Sequence, residues 1–404
     1  MKDAEIERIS AAIIARGLGG QSEIELLQGF CADCNAAGLD LAMGIAVIDT
    51  LHPIHEGRAF HWRADGQVER EVTEYTPTSY SDENWRQSIF YHLMQTGGDE
   101  LRRRIDDGTP RDFDFLNKLE EQNQTDYVAF LQRFDREGVI GEMDCIYTHW
   151  STGKVQGFDD AELAALRRLV PLLALALKTS SVTRVAETIA EVYLGRDAGA
   201  RVLKGRIVRG VADRINAVLW YSDLKDFTTI TDAAPPDEVI PLLNDYADAV
   251  ISAIHDKGGD VLKLIGDGVL AIFGGAEPAE TCRRALLAEA KMRKRIADLN
   301  DKRKAEGRPL AGVNLGLHIG DVFYGNIGST TRLDFTVIGP AVNEVSRIVA
   351  LCRSVDRDNL FSSDFVAATP EPERSRLVSV GRFALRGVSR AQDLYTIDPE
   401  LVRG

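Results

Sequence analysis

Residues 258–273 read GGDVLKLIGDGVLAIF, and the organisation of the C-terminal half follows from them. Two apolar runs, Val261–Ile265 and Val269–Phe273, flank Gly266-Asp267-Gly268, which predicts an antiparallel hairpin with Asp267 at its tip. Asp-Gly is itself a strong hairpin signal, so this aspartate on its own carries no chemistry. Lys263 is different. It alternates with Leu262 and Leu264, residues that want the core, so its side chain is expected to face a pocket or a partner. Outward from the hairpin, the pattern predicts a strand over Ala217–Ser222, a helix after Pro236 and a long charged helix through Asn300. A strand over Val313–Ile319, an extended stretch ending in FTVIG, a helix over Ala341–Cys352 and closing strands follow. The sum is an α+β sandwich, with helices on one face of a mainly antiparallel sheet.

Two more segments of this half share the logic of the hairpin. In WYSDLKDFTTIT, Asp223 ends an apolar strand, and Phe227 and Thr228 follow in a segment able to start a helix. A carboxylate held there suits Mg2+, while free backbone amides meet phosphate oxygens. Taken alone, Asp223 reads more simply as a cap or turn residue. In NIGSTTRLDFTVIGPAVNEVSRI, Asn343 and Arg347 lie four residues apart after Pro340, which places an amide and a guanidinium on one helix face.

With these residues in view, the stretch from about Arg214 to Asp398 resembles the catalytic domain of class III nucleotidyl cyclases. The resemblance implies a ferredoxin-like α+β fold that converts ATP to 3′,5′-cyclic AMP and pyrophosphate. It makes Asp223 and Asp267 the metal-binding aspartates of a two-Mg2+ site, with Mn2+ as a substitute and the Leu224 carbonyl as a further ligand. Arg347 matches the arginine that stabilises charge on the α-phosphorus, and Asn343 the residue that orients the ribose. Phe227, Thr228 and Arg386 fall among the substrate contacts, Arg386 where the family usually has a lysine. Lys263 matches the purine-selecting lysine: adenine N1 accepts from an ammonium, whereas guanine N1 carries a hydrogen, so ATP is favoured. Thr336 occupies the second purine-selecting position, and Lys with Thr resembles the subgroup of bicarbonate-responsive soluble adenylyl cyclases. Bicarbonate, or another small molecule, is therefore an expected regulator. In the family each site is shared across a head-to-tail dimer, which implies a homodimer with two sites. A guanylyl cyclase, or an inactive nucleotide-binding or dimerisation module, remains the alternative.

The first half is read as a short polar opening, a helix over Glu23–Ala36 and strands at residues 41–50 and Arg58–Arg63. Helices over Asn84–Met94 and Asp112–Phe134, a strand at residues 141–150 and a helix from Asp159 or Asp160 to Lys178 complete it. That order resembles a GAF sensor domain. Residues 1–179 are thus expected to be a GAF-like α/β regulatory domain, 180–213 a helical linker broken near Gly195 and Gly199, and 214–404 the catalytic domain.

Composition agrees with this division. A chain of 404 residues exceeds one domain of roughly 150. Its formal charge of -14 disfavours nucleic acid and anionic membranes as partners. Five cysteines, a polar N-terminus and an apolar run, Leu169–Leu177, too short to span a bilayer point to a cytoplasmic protein. Cys31 and Cys34 are expected on a buried helix face, His52 and His55 in a solvated loop, and His318 as a satisfied sheet residue. Gly258-Gly259-Asp260 resembles the diguanylate cyclase signature without its continuation, and the charged helix at 290–307 is read as a solvated face.

Overall fold

The computed structural model describes residues 1–76, 85–105, 112–134, 140–141, 143–388 and 390–399. The chain divides into two compact units, 1–189 and 190–404.

In the N-terminal unit six strands form one antiparallel sheet: β1 (Met43–Asp49), β2 (Gly57–Arg63), β3 (Val72–Tyr75), β4 (Glu100–Arg104), β5 (Asp126–Arg133) and β6 (Cys145–Thr152), in the order β3-β2-β1-β6-β5-β4. Helices Asp3–Leu18, Glu23–Ala36 and Asp160–Leu194 share one core with the sheet, closed by Ile9, Leu27, Phe30, Trp150, Leu166 and Leu173. A second core joins Tyr127, Ala129 and Tyr147 to Leu93 and Leu116 of helices Ile89–Thr96 and Asp114–Glu121. Helix Asp160–Leu194 begins at a reciprocal cap: the Glu162 amide donates to Asp159 Oδ1 (2.7 Å), and the Asp159 amide donates to Glu162 Oε2 (2.9 Å). It runs through Pro171, and by length and composition it is long and apolar enough to cross a membrane, although Leu163, Leu166, Leu169, Val170, Leu173 and Leu177 pack inward.

Several expectations for this unit fail. The polar opening is a sixteen-residue helix whose Ile6, Ile9 and Ile13 are buried on one stripe. The helix expected over Asp112–Phe134 ends at Glu121, turns at Asn123 (φ 59°), and gives way to β5. Strands β3 and β4 were not anticipated, and Asn84, expected to open a helix, lies outside the described residues. Cys31 and Cys34 are fully buried, and burial pushes both thiols up, Cys34 to about 12. In the loop after β1, His52 and His55 stack at 4.5 Å, and His52 Nδ1 accepts from the amides of Ile54 and His55.

The C-terminal unit contains an eight-stranded sheet: β7 (Ala212–Leu224), β8 (Asp260–Ile265), β9 (Gly268–Gly274), β10 (Val313–Gly328), β11 (Leu333–Ile338), β12 (Asn359–Ser362), β13 (Leu377–Phe383) and β14 (Gln392–Ile397). The order is β13-β14-β12-β10-β7-β9-β8, with β11 paired to β10, and only β10 and β12 run parallel. Alternation along β7 divides the core in two. Val218 and Trp220 pack with Leu242, Tyr246 and Val250 of helix Pro236–Asp256 and Cys282, Ala285 and Met292 of helix Pro278–Ala305. Ala217 and Leu219 pack instead with Ala341 and Val345 of helix Pro340–Leu351 and with Ala198 of helix Arg196–Leu203. Helices therefore cover both faces, not one as expected.

The charged helix is also more than a solvated face. Arg303 is fully buried, bonded to Asp245 and Glu238, and its Nε donates to the Pro309 carbonyl (2.6 Å). Because Arg303 is buried while Glu238 and Asp245 stay in reach of water, Arg303→Ala loses charged hydrogen bonds without stranding its partners and should destabilise this unit by about 1.5–3 kcal/mol, read as a lower urea midpoint.

Candidate active site

β7 carries Asp223 on the face that holds Ala217, Leu219 and Tyr221, next to β10, where Asn314 pairs with it in register. Asn314 Nδ2 donates to Asp223 Oδ1 (2.9 Å), while Asn314 Oδ1 is buried without a partner. On the other side of β7, the β8–β9 hairpin turns through Gly266 (φ 62°) and Asp267. A residue with a side chain would be strained at that φ, so glycine sets the turn that presents Asp267. Asp267 Oδ2 accepts from the Leu224 amide (3.2 Å), which brings the two carboxylates to one corner of the sheet. Burial, and then the charge of Asp267, raise the pKa of Asp223, against the Asn314 hydrogen bond and the more distant Arg353. An acidic pair so placed favours a bound cation.

Hard oxygen donors of this kind fit a divalent metal. Among the described residues no group of three or more His, Cys, Asp or Glu gathers, so the side-chain donors at this corner are two carboxylates and not a full cage. That suits Mg2+, which keeps water and substrate phosphate among its ligands. Phe227 and Thr228 open the helix Phe227–Ala233 directly after this corner.

A second group forms at β8. The pairing with β9 shifts between Val261, opposite Ala271, and Lys263, opposite Leu270. This bulge inserts Leu262 and turns Lys263 onto the Leu270 face. There its Nζ is bonded to Asp334 of β11. Asp334 and Thr336 stand on one side of β11, while Phe335 and Val337 of the other side are buried. Asp334 was missed from sequence: nothing local marks it, because its role depends on β8 and β11 meeting through the fold.

The third group belongs to helix Pro340–Leu351, where Asn343 and Arg347 lie one turn apart. A Cβ at Gly387 (φ 73°) would lie 3.4 Å from the Arg347 guanidinium, so the turn holding Arg386 packs beside Arg347. Neither arginine makes an ion pair among the described residues. His318 is satisfied by Ser362 Oγ (2.8 Å). Among the described residues no hydrogen bond or ion pair links the three groups to one another.

Residues 212–397 match the family model of the adenylate and guanylate cyclase catalytic domain. An adenylate cyclase of Anabaena cylindrica is 30% identical over 193 residues, covering 46% of this chain and 38% of its own length. Adenylate cyclase 1 of Rhizobium meliloti (strain 1021) is 30% identical over 190 residues, covering 46% of this chain and 28% of its own length. Less than half of either relative is thus spanned. Among solved structures, the adenylyl cyclase CyaB from P. aeruginosa is 24% identical with a TM-score of 0.42, covering 46% of this chain and 95% of that one. The guanylyl cyclase Cya2 is 25% identical with a TM-score of 0.41, covering 46% of this chain and 93% of that one. With the family model covering β7 through β14 and the carboxylate corner lying inside it, residues 212–397 are a class III adenylate/guanylate cyclase catalytic domain.

Proposed function

We propose that this chain is an adenylyl cyclase that works as a homodimer with two shared sites, producing 3′,5′-cyclic AMP and pyrophosphate from ATP. The observation that carries the reading is the acidic corner of Asp223 and Asp267, two carboxylates held together at the end of β7, one of them with its charge disfavoured by burial. Two Mg2+ ions, or Mn2+, held by Asp223, Asp267 and the Leu224 carbonyl would neutralise the triphosphate and acidify the ribose 3′-hydroxyl. The ribose 3′-oxygen bonds to the α-phosphorus as the bond to pyrophosphate breaks, and the hydroxyl proton leaves to solvent. Arg347 stabilises the charge that grows on the α-phosphoryl oxygens, and Asn343 holds the ribose in line. Arg386 meets the terminal phosphates, and Phe227 and Thr228 line the substrate. Lys263 donates to adenine N1 and Thr336 accepts from the adenine amino group, while Asp334 keeps the ammonium in place. Exposed Leu264, Ile265, Leu333 and Ile338 offer apolar surface near these residues for the partner copy. Residues 1–179 serve as a GAF-like sensor domain that acts through the linker, with bicarbonate or another small molecule as regulator.

Purified protein assayed with ATP and with GTP, in Mg2+ and in Mn2+, with product identification, tests this. Cyclic AMP should dominate. Lys263→Ala should lower the ATP-to-GTP ratio of kcat/KM at least about tenfold, and Asp334→Asn should raise KM for ATP several-fold with little change in kcat. Cyclic GMP as the main product, or no product, would overturn the reading.

A further inference from the structure

A cavity of about 460 Å3 opens in the C-terminal unit where helix Arg196–Leu203 meets strands β7 to β10. Asp197, Arg201, Asn216, Asp260, Ile272 and Tyr324 line it. Both carboxylate oxygens of Asp260 are buried and make no hydrogen bond. The first-turn amides of Arg196 and Asp197 face that carboxylate and favour its charged form. Tyr324 is 2% exposed, and its Oη is likewise buried without a partner. The other charged groups are engaged: Arg201 binds Asp197 (2.6 Å) and Asp213 (2.9 Å) and lies 5.2 Å over the Tyr324 ring. The Asn216 amide donates to Asp321 (2.8 Å).

A buried acceptor left unmade is costly, and here the two Asp260 oxygens border one space with the Tyr324 hydroxyl and the side chains of Ile215 and Ile272. The excess is of acceptors and of negative charge, which disfavours an anion. A single uncommitted carboxylate is too few for a hard divalent ion. We propose that this cavity binds a small organic cation, a primary ammonium on a compact apolar body, with Asp260 as its counter-ion and Tyr324 Oη as its second polar contact. The site is separate from the nucleotide chemistry and does not depend on which purine is used. It lies against the connector: a Cβ at Gly195 (φ 88°) would come within 2.4 Å of the Val261 carbonyl oxygen, so helix Arg196–Leu203 is seated on the start of β8, three residues before Lys263.

Titration gives the site a signature. Burial and the neighbouring Asp197 charge raise the Asp260 pKa to about 6, against the Arg196 charge and the two helix amides; Tyr324 on β10 faces the same carboxylate, and His255, with a lowered pKa, faces Arg196. Only the ionised carboxylate attracts a cation, so affinity should hold above pH 7 and fall about tenfold by pH 5.

The test is calorimetric titration of the full chain with benzylammonium chloride, and with benzyl alcohol as its neutral counterpart. A saturable signal with the ammonium alone, about tenfold weaker at pH 5 than at pH 7 and lost in Asp260→Asn, is expected. No saturation by about 20 mM at pH 7, or equal binding by Asp260→Asn, overturns the proposal and leaves the cavity to water. Should Asp260→Asn not fold, Tyr324→Phe decides: binding weakened at least about threefold supports the site, and unchanged binding overturns it.

Discussion

Asp223→Asn should abolish product formation, by about a thousandfold, while leaving the C-terminal unit as stable as the parent protein or more so. The two effects have one cause. Asp223 is partly buried beside Asp267, and both burial and that charge make its ionised form unfavourable in the fold. Its folded pKa is raised, so the stability linked to it is fully present below about pH 4 and is lost as pH rises through the folded value. Asparagine keeps the shape and removes the loss. The comparison is made by urea unfolding at neutral pH with EDTA present, alongside cyclase activity in Mg2+. A variant that retains activity would refute the metal role of Asp223, and one that is inactive and destabilised would make its role structural.

Mixing an Asp223→Ala chain with an Arg347→Ala chain should restore activity that neither has alone. Asp223 sits at the carboxylate corner and Arg347 on the helix Pro340–Leu351, with no hydrogen bond or ion pair joining the two groups among the described residues. If each site takes its carboxylates from one copy and its arginine from the other, a heterodimer rebuilds one intact site and one doubly defective site. Random exchange makes half the dimers mixed, so recovery should approach about a quarter of parental activity. Recovery of nothing, after exchange is verified by mass, would sink the shared site.

Much of the catalytic unit was legible because its signals are local. Gly266-Asp267-Gly268 makes a turn wherever two apolar strands flank it, and Pro340 starts a helix from its own φ. The failures have a common origin in burial on two sides. In β5, Asp126–Leu131 are all buried between neighbours β4 and β6, so the strand shows no alternation and its residues merge with the pattern of the helix before it. The helices of the second face were expected as elements but not as a separate layer, for the same reason: β7 and β9 are apolar on both faces, which a linear reading cannot assign to separate layers. Asp334 lay beyond reach because its partner is 71 residues away. Arg303, read as one more solvated charge, depends on Glu238 and Asp245 of another helix.

The bulge at Leu262 places the Lys263 ammonium by counting residues rather than by choosing them. Substitution anywhere else in β8 leaves that count intact, whereas inserting a single residue between Lys263 and Gly266 would set Lys263 opposite Ala271 and turn the ammonium to the other face of the sheet. Lineages of this domain should therefore vary the letters of the strand freely before they vary its length.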